Sequence, residues 1–365
     1  MSANPLPLST VQDGIQETAG NESLFLPATR DQLNATQRHN AREVRFKSSF
    51  DVISPEDLRR LKPSEVESEY EFALLQGIFD NGSERHLHIP QQRVWHGLNT
   101  LLTQFPNFRD VTLEIIGRYR IALLGGHPFT LPVINLQGPP GIGKTTYVRA
   151  VAAALGQPFH DIKVSQMMER FELAGMSRGW RNAAVGQIAK MLLVDEPHEG
   201  QPVLLFDELC MAKDTADHSV IHPLYTLFDR DSREYFRDLF LDVPINTSFV
   251  LAFSATNNIE RLRPALRSRL ASFEIDAPSN GEMRILAQNI YSQLLRELNM
   301  ADRFPDLLTH QVLQRLTSGS IRDMKMHLER AITRAVAEAP EHTCFRLSPD
   351  HIPEVEVKKR AIGFM

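Results

Sequence analysis

The chain has 365 residues, of which 42% are hydrophobic and 23% charged, and its formal net charge at pH 7 is −5. This composition is ordinary for a globular protein with room for two domains, and the acidic balance argues against nucleic-acid binding driven by bulk charge. Cys210 and Cys344 are too few and too far apart for a disulfide framework or a zinc site. Neither a signal peptide nor a membrane-spanning segment is predicted, and we expect a cytoplasmic protein with no membrane partner.

Residues 1–48 are predicted to form a disordered arm, because they are rich in polar residues and show no helical or strand periodicity. A helical N-terminal extension is expected over 49–110. Its first helix begins at Ser54-Pro55, which combines a good N-cap with proline at the first helical position. Further helices are predicted at 64–79, 91–104 and 110–124.

The stretch Gly138–Thr146 fits the pattern G-x-x-x-x-G-K-[ST] and lies between a predicted strand at 131–136 and a predicted helix at 147–155. Backbone N–H groups of such a loop, together with the helix N-terminus, form a site for a polyphosphate. Lys144 is predicted to reach the β- and γ-phosphates of ATP, and the Thr145 hydroxyl to bind Mg²⁺. The predicted ATP-binding residues are Gly138, Pro139, Pro140, Gly141, Ile142, Gly143, Lys144, Thr145 and Thr146.

Strands then alternate with helices, which indicates a parallel sheet covered on both faces. We predict an α/β P-loop nucleotide-binding domain over 111–277, with further strands at 158–164, 202–206 and 248–253 and helices near 165–173 and 184–193. A small all-helical lid is predicted over 278–352, followed by a tail at 353–365. Its expected elements are helices at 281–298, 305–316 and 320–338, a strand at 343–347 and a short helix that begins at Ser348.

The apolar strand at 202–206 is followed directly by Asp207 and Glu208. In a P-loop ATPase, an acid at the end of the strand beside the phosphate loop binds Mg²⁺, and a neighbouring carboxylate activates the attacking water. Asp207 is therefore predicted to bind the metal, and Glu208 to be the catalytic base.

From about residue 110 to 350 the sequence resembles the AAA+ ATPases, and within them it is most similar to the ATPase module of the Lon proteases. The similarity lies in several blocks that follow one another in the same order as in that family. These blocks are Leu173–Gly186, His218–Asp229, Phe236–Pro244, Ala255–Asn257, Pro264–Leu270 and Gly319–Arg322.

The resemblance implies three further catalytic residues. Asn257 corresponds to the polar sensor of the attacking water, with Asn258 as an alternative. Arg269 corresponds to the arginine finger that completes the site of the adjacent subunit, with Arg267 as an alternative. Arg322 corresponds to the second sensor, which contacts nucleotide from its own subunit. A finger that acts in trans implies a homo-oligomeric ring, with six members expected from the family.

Trp180 and Arg181 occupy the positions of the substrate-gripping pore loop in Lon-like enzymes. An aromatic ring on a glycine-flanked loop can grip extended polypeptide, although a tryptophan buried in the core is the ordinary alternative. Arg181 stands where the family usually has an apolar residue. A cation there could equally favour acidic segments or, with Arg178, a nucleic-acid backbone.

Lon proteases carry a serine–lysine peptidase domain after the lid, and this sequence shows no such domain, so we expect no proteolysis by this polypeptide alone. The tail ends in apolar residues, Ile362, Phe364 and Met365, which could dock in a partner protein. The sequence thus predicts an ATP-hydrolysing, Mg²⁺-dependent ring motor that threads or remodels a protein substrate. The alternative is a motor that acts on nucleic acid or serves a multi-protein system such as phage defence.

Overall fold

In the computed structural model, the described part of the chain begins with a short antiparallel sheet that the sequence analysis did not predict. Its strands are β1 (Ser49–Asp51) and β2 (Glu84–His86). The helices of this region are α1 (Pro55–Arg60), α2 (Glu69–Asn81), α3 (Gln92–Gln104) and α4 (Arg109–Gly125). The N-cap prediction at Ser54 is confirmed, because the Ser54 hydroxyl accepts a hydrogen bond from the Asp57 N–H.

The structure describes residues 48–63, 68–181, 183–195, 200–212, 219–339, 341 and 343–353. The predicted arm at 1–48 lies outside the described residues apart from Ser48. The predicted tail at 353–365 lies outside them apart from Pro353. The predicted start of the second helix, at residue 64, also falls outside them.

The remaining described strands form a central parallel sheet and a separate hairpin. They are β3 (Val133–Gln137), β4 (Phe159–Lys163), β5 (Val203–Asp207), β6 (Phe236–Asp238), β7 (Val243–Ile245), β8 (Leu251–Thr256) and β9 (Leu270–Glu274). The order β4–β5–β8–β3–β9 makes a five-stranded, all-parallel sheet, and β6 pairs with β7 in the antiparallel hairpin. The strand β9 was not predicted, yet it pairs with β3 along that strand's whole length.

Both faces of the sheet are buried, which confirms the predicted α/β P-loop fold. Because successive side chains of a strand point to opposite faces, Leu204 and Phe206 pack into one hydrophobic core, whereas Val203 and Leu205 pack into the other. The helices α3, α4 and α5 (Lys144–Leu155) contribute to the second core. None of the helices in the described part of the chain is long and apolar enough to span a membrane.

The helix predicted near 165–173 is wrong in length, since the structure has there only a 3₁₀ turn at Val164–Gln166 and the short helix α6 (Phe171–Ala174). The helix predicted near 184–193 is confirmed with shifted bounds, because α7 (Gln187–Lys190) runs directly into a π-helical turn at Met191–Asp195. Glycines interrupt the helical pattern. Gly175 adopts φ 76°, and Gly186 packs directly on the Gly175 backbone.

After α8 (His222–Phe228) and α9 (Pro264–Arg267), the C-terminal part forms a helical lid with its own core. Its helices are α10 (Asn280–Glu297), α11 (His310–Leu316) and α12 (Ile321–Ala337), and capping boxes open α10 and α12. The strand predicted at 343–347 is wrong, since these residues form no ladder: the Phe345 N–H donates to the Arg303 carbonyl, and the Phe345 ring packs on Phe304. The helix predicted from Ser348 is a single 3₁₀ turn, Pro349–His351.

Candidate functional site

The phosphate loop needs glycine at three positions, each for a backbone reason. A Cβ atom at Gly138 would lie 2.4 Å from the Ile275 carbonyl oxygen, a distance that no side chain tolerates. Gly141 and Gly143 adopt φ 82° and 98°, which strain any residue with a side chain. The loop runs from the end of β3 into the start of α5, in the context that the sequence predicted.

The helix α5 begins at the loop without a side-chain cap among the described residues. Its N-cap is Gly143, which has no side chain to accept a hydrogen bond from the first turn. The N–H groups of that turn are thus left for an external acceptor, and the helix dipole places partial positive charge there. The arrangement suits an anion such as a polyphosphate.

Lys144 is nearly buried and points back into the loop. Its Nζ atom donates to the carbonyl oxygens of Gly138 at 2.6 Å and Pro139 at 3.0 Å, and to Asn257 Oδ1 at 3.0 Å. Burial lowers the pKa of Lys144, and the nearby Asp207 carboxylate opposes that shift. The described hydrogen bonds of the ammonium thus go to neutral acceptors, and a phosphate group would supply the missing negative charge.

The two neighbouring asparagines differ in what they contact. Asn257 reaches Lys144, whereas the Asn258 side chain accepts a hydrogen bond from the Glu260 N–H and caps the turn at Ile259–Arg261. Of the two alternatives for the polar sensor, Asn257 is therefore the one that the fold brings to the phosphate loop.

Thr145 and Asp207 meet at the ends of adjoining elements. The Thr145 hydroxyl donates to Asp207 Oδ2 at 3.3 Å. Both side chains offer oxygen ligands, which Mg²⁺ prefers, so the pair fits this ion. No cluster of three or more His, Cys, Asp or Glu residues within the described ranges could hold a metal. An ion at Thr145 and Asp207 would therefore also need phosphate or water ligands, as is usual for Mg²⁺.

Lys163, at the end of β4, is a site residue that sequence reasoning missed. It stands opposite Asp207 in the parallel register, and its Nζ atom lies 2.6 Å from Asp207 Oδ2 and 2.9 Å from Asp161 Oδ2. Burial disfavours the charge, but the hydrogen bonds to the two carboxylates together outweigh it and raise the pKa of Lys163. The sequence does show a charged residue at the end of the predicted strand 158–164. That Asp207 is its partner becomes clear only from the register in which β4 pairs with β5.

Glu208 is held apart from Asp207 by its backbone. It adopts φ 55° and ψ 37°, a left-handed conformation that costs an ordinary residue about 1 kcal/mol. Its carboxylate accepts a hydrogen bond from the Ser165 hydroxyl, and its N–H donates to Asp207 Oδ1. The two acids therefore have separate environments, and Ser165 is a second residue that the sequence did not reveal.

The arginines predicted to act on nucleotide have other partners, or are exposed, in the described part of the chain. Arg269 donates to Asp229 Oδ2 at 3.0 Å and to the Ala265 carbonyl at 2.6 Å, and it lies over the Tyr225 ring. Arg267 pairs with Glu260 instead. Arg322 is exposed at the start of α12. The described hydrogen bonds and ion pairs join none of these three arginines to the phosphate loop.

The predicted pore residues lie on an exposed loop. Trp180 is 70% exposed, which rules out the alternative that it is a core tryptophan, and Arg181 is exposed beside it. The Met176 N–H donates a hydrogen bond to the Ala184 carbonyl, which closes the loop at its base. Arg178 is committed elsewhere, because its Nε atom donates to the Phe240 carbonyl.

Part of the chain is similar to known proteins. Residues 134–279 match the family model described as "ATPase family associated with various cellular activities (AAA)". The peroxisomal Lon protease homolog 2 of Caenorhabditis briggsae is 26% identical over 209 residues, 56% of this chain and 27% of that protein. The Lon protease of Fervidobacterium nodosum is 24% identical over 249 residues, 64% of this chain and 30% of that protein.

Solved structures show the same fold. An Hsp104–casein complex of S. cerevisiae matches with a TM-score of 0.57 and 15% identity, over 78% of this chain and 50% of that one. A closed-state reconstruction of Hsp104 with ATPγS and casein also has a TM-score of 0.57, at 16% identity, over 71% of this chain and 52% of that one. The chain spans less than a third of the length of the curated relatives named above.

Proposed function

We propose that this chain, which carries a Lon-like AAA+ ATPase domain, is the ATP-hydrolysing subunit of a ring-shaped motor that acts on protein. One observation carries the proposal: Lys144, Thr145, Asp207 and Asn257 converge at the carboxyl ends of adjacent parallel strands, with Glu208 beside them. Ligands of open parallel sheets bind at this edge.

The residues divide the work of hydrolysis as follows. The loop Gly138–Thr146 and the N-terminus of α5 bind the phosphates, and Lys144 exchanges its carbonyl partners for phosphate oxygens. Thr145 and Asp207 hold Mg²⁺, which when bound supplies positive charge to the phosphates. Glu208 takes the proton of the attacking water, and Asn257 orients that water.

Two substitutions test the ATPase assignment. Lys144→Ala removes the buried ammonium and should abolish binding of a fluorescent ATP analogue. Glu208→Gln keeps the shape of the base but not its basicity, so it should retain binding and lose hydrolysis by about a hundredfold or more. Normal turnover by Glu208→Gln would refute the assignment of the base.

Phosphoryl transfer in this class of enzyme uses an arginine in addition to the phosphate-loop lysine, and the described contacts of Arg267, Arg269 and Arg322 do not join them to the phosphate loop. We infer that Arg269 acts on the nucleotide of the adjacent subunit, and that Arg322 contacts nucleotide within its own subunit when the lid closes. A heterologous interface of this kind closes into a ring, and six subunits are the number that the Lon-like family implies. Light scattering of the Glu208→Gln variant in the presence of ATP gives the mass of the assembly and so tests this number.

Trp180 is proposed to grip the substrate, because it is large, apolar and exposed on a closed loop. An unfolded protein such as reduced, carboxymethylated lactalbumin should stimulate the ATPase of the parent chain. Trp180→Ala should abolish that stimulation while leaving the basal rate. Tyr70→Ala is the matched control, since Tyr70 is also an exposed aromatic, at 58%, but lies on α2. Equal stimulation in all three proteins would refute the role of Trp180.

A nucleic-acid substrate is the second candidate, and one observation favours it: Arg181 is exposed next to Trp180, as a strand-binding loop would require. Arg178 adds little to it, because its guanidinium is engaged with Phe240. Binding to single-stranded DNA that weakens with salt and is lost in Arg181→Ala would establish this candidate. Binding that is unchanged in Arg181→Ala would dismiss it.

We further propose that the C-terminal tail docks a partner protein through Ile362, Phe364 and Met365. Deletion of the last four residues should weaken capture of that partner without changing the ATPase rate. Unchanged capture would dispose of the idea.

A further inference from the structure

The Trp180 loop, residues 176–184, stands on two glycines that touch each other. A Cβ atom at Gly186 would lie 2.4 Å from the Gly175 nitrogen, so the two ends of the loop approach as closely as backbones can. Trp180 itself is exposed. Its position is therefore set at the base of the loop, where the chain is packed.

Asp238, the last residue of β6, is fully buried against this base. Its Oδ2 atom accepts the Gly186 N–H at 2.8 Å, and its Oδ1 atom accepts the N–H groups of Phe240 and Leu241, each at 2.9 Å. A Cβ atom at Gly175 would lie 2.7 Å from Asp238 Oδ1, so the carboxylate also fills the space beside the other glycine. One side chain thus contacts both ends of the loop.

Two of the three hydrogen bonds to Asp238 close the turn of its own hairpin. The third, from Gly186, leaves the hairpin and joins it to the loop. Hydrogen bonds to an ionised carboxylate are about twice as strong as those between neutral groups. A purely structural role in the hairpin would need only the first two.

The same turn holds the loop in two other places. The Leu239 N–H donates to the Ala174 carbonyl at 2.6 Å, just before the loop. Arg178, within the loop, donates to the Phe240 carbonyl at 3.0 Å, and its guanidinium lies 5.2 Å from the centre of the Phe240 ring. The turn between β6 and β7 therefore grips the loop before, within and after its exposed part.

We propose that Asp238 is the positioning residue of the Trp180 loop, and that the β6–β7 turn supports this loop. The effect on substrate rests on the proposed function of Trp180. The positioning itself does not, and can be measured without a substrate.

The test uses Trp180 as its own reporter. The sequence has two tryptophans, so Trp95→Phe leaves Trp180 as the single one. In that background, Asp238→Asn keeps the volume of the side chain but presents an amide N–H₂ to one of the N–H donors. We expect lower fluorescence anisotropy of Trp180 and stronger quenching by acrylamide, with binding of a fluorescent ATP analogue retained.

Asp242→Asn is the matched control. Asp242 belongs to the same turn, but its carboxylate is exposed and paired with Arg237, and asparagine tolerates its φ of 56°. The fluorescence anisotropy of Trp180 in Asp242→Asn should equal that in the parent. Equal anisotropy in Asp238→Asn and the parent would overturn the inference.

Arg178→Ala provides a second, surface substitution in case Asp238→Asn loses nucleotide binding. Arg178→Ala should also lower the anisotropy of Trp180, and an unchanged value would then overturn the inference.

The protein-stimulated ATPase is the functional readout. Asp238→Asn should raise the concentration of unfolded protein that gives half-maximal stimulation about fivefold, the effect of one lost hydrogen bond, while the basal rate stays. A fall in anisotropy, with no stimulation even in the parent, would refute the threading function and leave the positioning role standing.

Discussion

The ammonium nitrogen of Lys163 lies 2.6 Å from Asp207 Oδ2, the same carboxylate oxygen that accepts the Thr145 hydroxyl. A protein cation is thus bound to the carboxylate that is proposed to hold Mg²⁺. Because like charges repel, Lys163 and the ion compete for Asp207 unless the side chain moves away.

We expect Lys163→Met to lower the Mg²⁺ concentration at which a fluorescent ATP analogue is half-maximally bound. Methionine keeps the length of the side chain and removes its charge, so the ion meets Asp207 without a competitor. Lys190→Met is the control, since Lys190 pairs with Asp195 at the surface. An unchanged or higher Mg²⁺ requirement in Lys163→Met would show that Lys163 does not compete with the ion.

Ser165 restrains the proposed catalytic base. Its hydroxyl donates to one oxygen of the Glu208 carboxylate, and this hydrogen bond holds the side chain beside Ser165 instead of leaving it free to turn towards an attacking water. Ser165→Ala should therefore raise the basal ATPase rate, by no more than about tenfold for one charge-assisted hydrogen bond at an exposed site. Steady-state phosphate release measures it. A lower rate would instead mean that Ser165 orients Glu208 for catalysis.

Arg269 and Arg267 make a matched pair for the finger assignment. Arg269→Ala should bind nucleotide normally and lose hydrolysis, whereas Arg267→Ala should retain hydrolysis. Mixed with Lys144→Ala subunits, which keep their own Arg269, the Arg269→Ala subunits should recover activity because each neighbour supplies the missing cation. If mixing restores nothing, the in-trans arrangement is wrong.

We expect the free energy of unfolding to depend on pH through Asp238. Burial raises its pKa to about 6, against the partial opposition of three backbone N–H donors. The folded state therefore favours the protonated form, so the stability that this group contributes is full below its unfolded pKa and is lost as the pH rises through 6. Between pH 8 and pH 5, urea unfolding should show the parent gaining about 1 kcal/mol relative to Asp238→Asn. A parallel pH profile for the two proteins would contradict the raised pKa.

Local patterns in the sequence predicted the centre of the molecule well. The phosphate loop and the strands β3, β5 and β8 are fixed by glycine spacing and by continuous apolar runs, which need no knowledge of distant partners. The edge strand β9 escaped prediction because its side chains are only half-buried or exposed, so it lacks such a run. The helix predicted at 165–173 is reduced to a 3₁₀ turn and the short α6, which ends at Gly175 in a backbone conformation (φ 76°) that suits glycine.

Partners that are distant in sequence account for the rest of the site. Lys163 and Ser165 contact Asp207 and Glu208 only because β4 and β5 are neighbours in register. Asp238 reaches Gly186 across 52 residues. In each case the residue type was visible in the sequence, but the atom that it contacts was not.

The close packing of Gly138 on Ile275 also determines where the lid can pivot. Ile275 is tied to β3 by its N–H bond to the Gln137 carbonyl, and only residues 276–279 separate it from α10, the first lid helix. Any swing of the lid must then be taken up in those four residues, against a wall formed by the first glycine of the phosphate loop. The connection between the sheet and the lid thus lies beside the phosphate loop. Binding or release of a nucleotide in that loop would therefore act directly on the segment about which the lid turns.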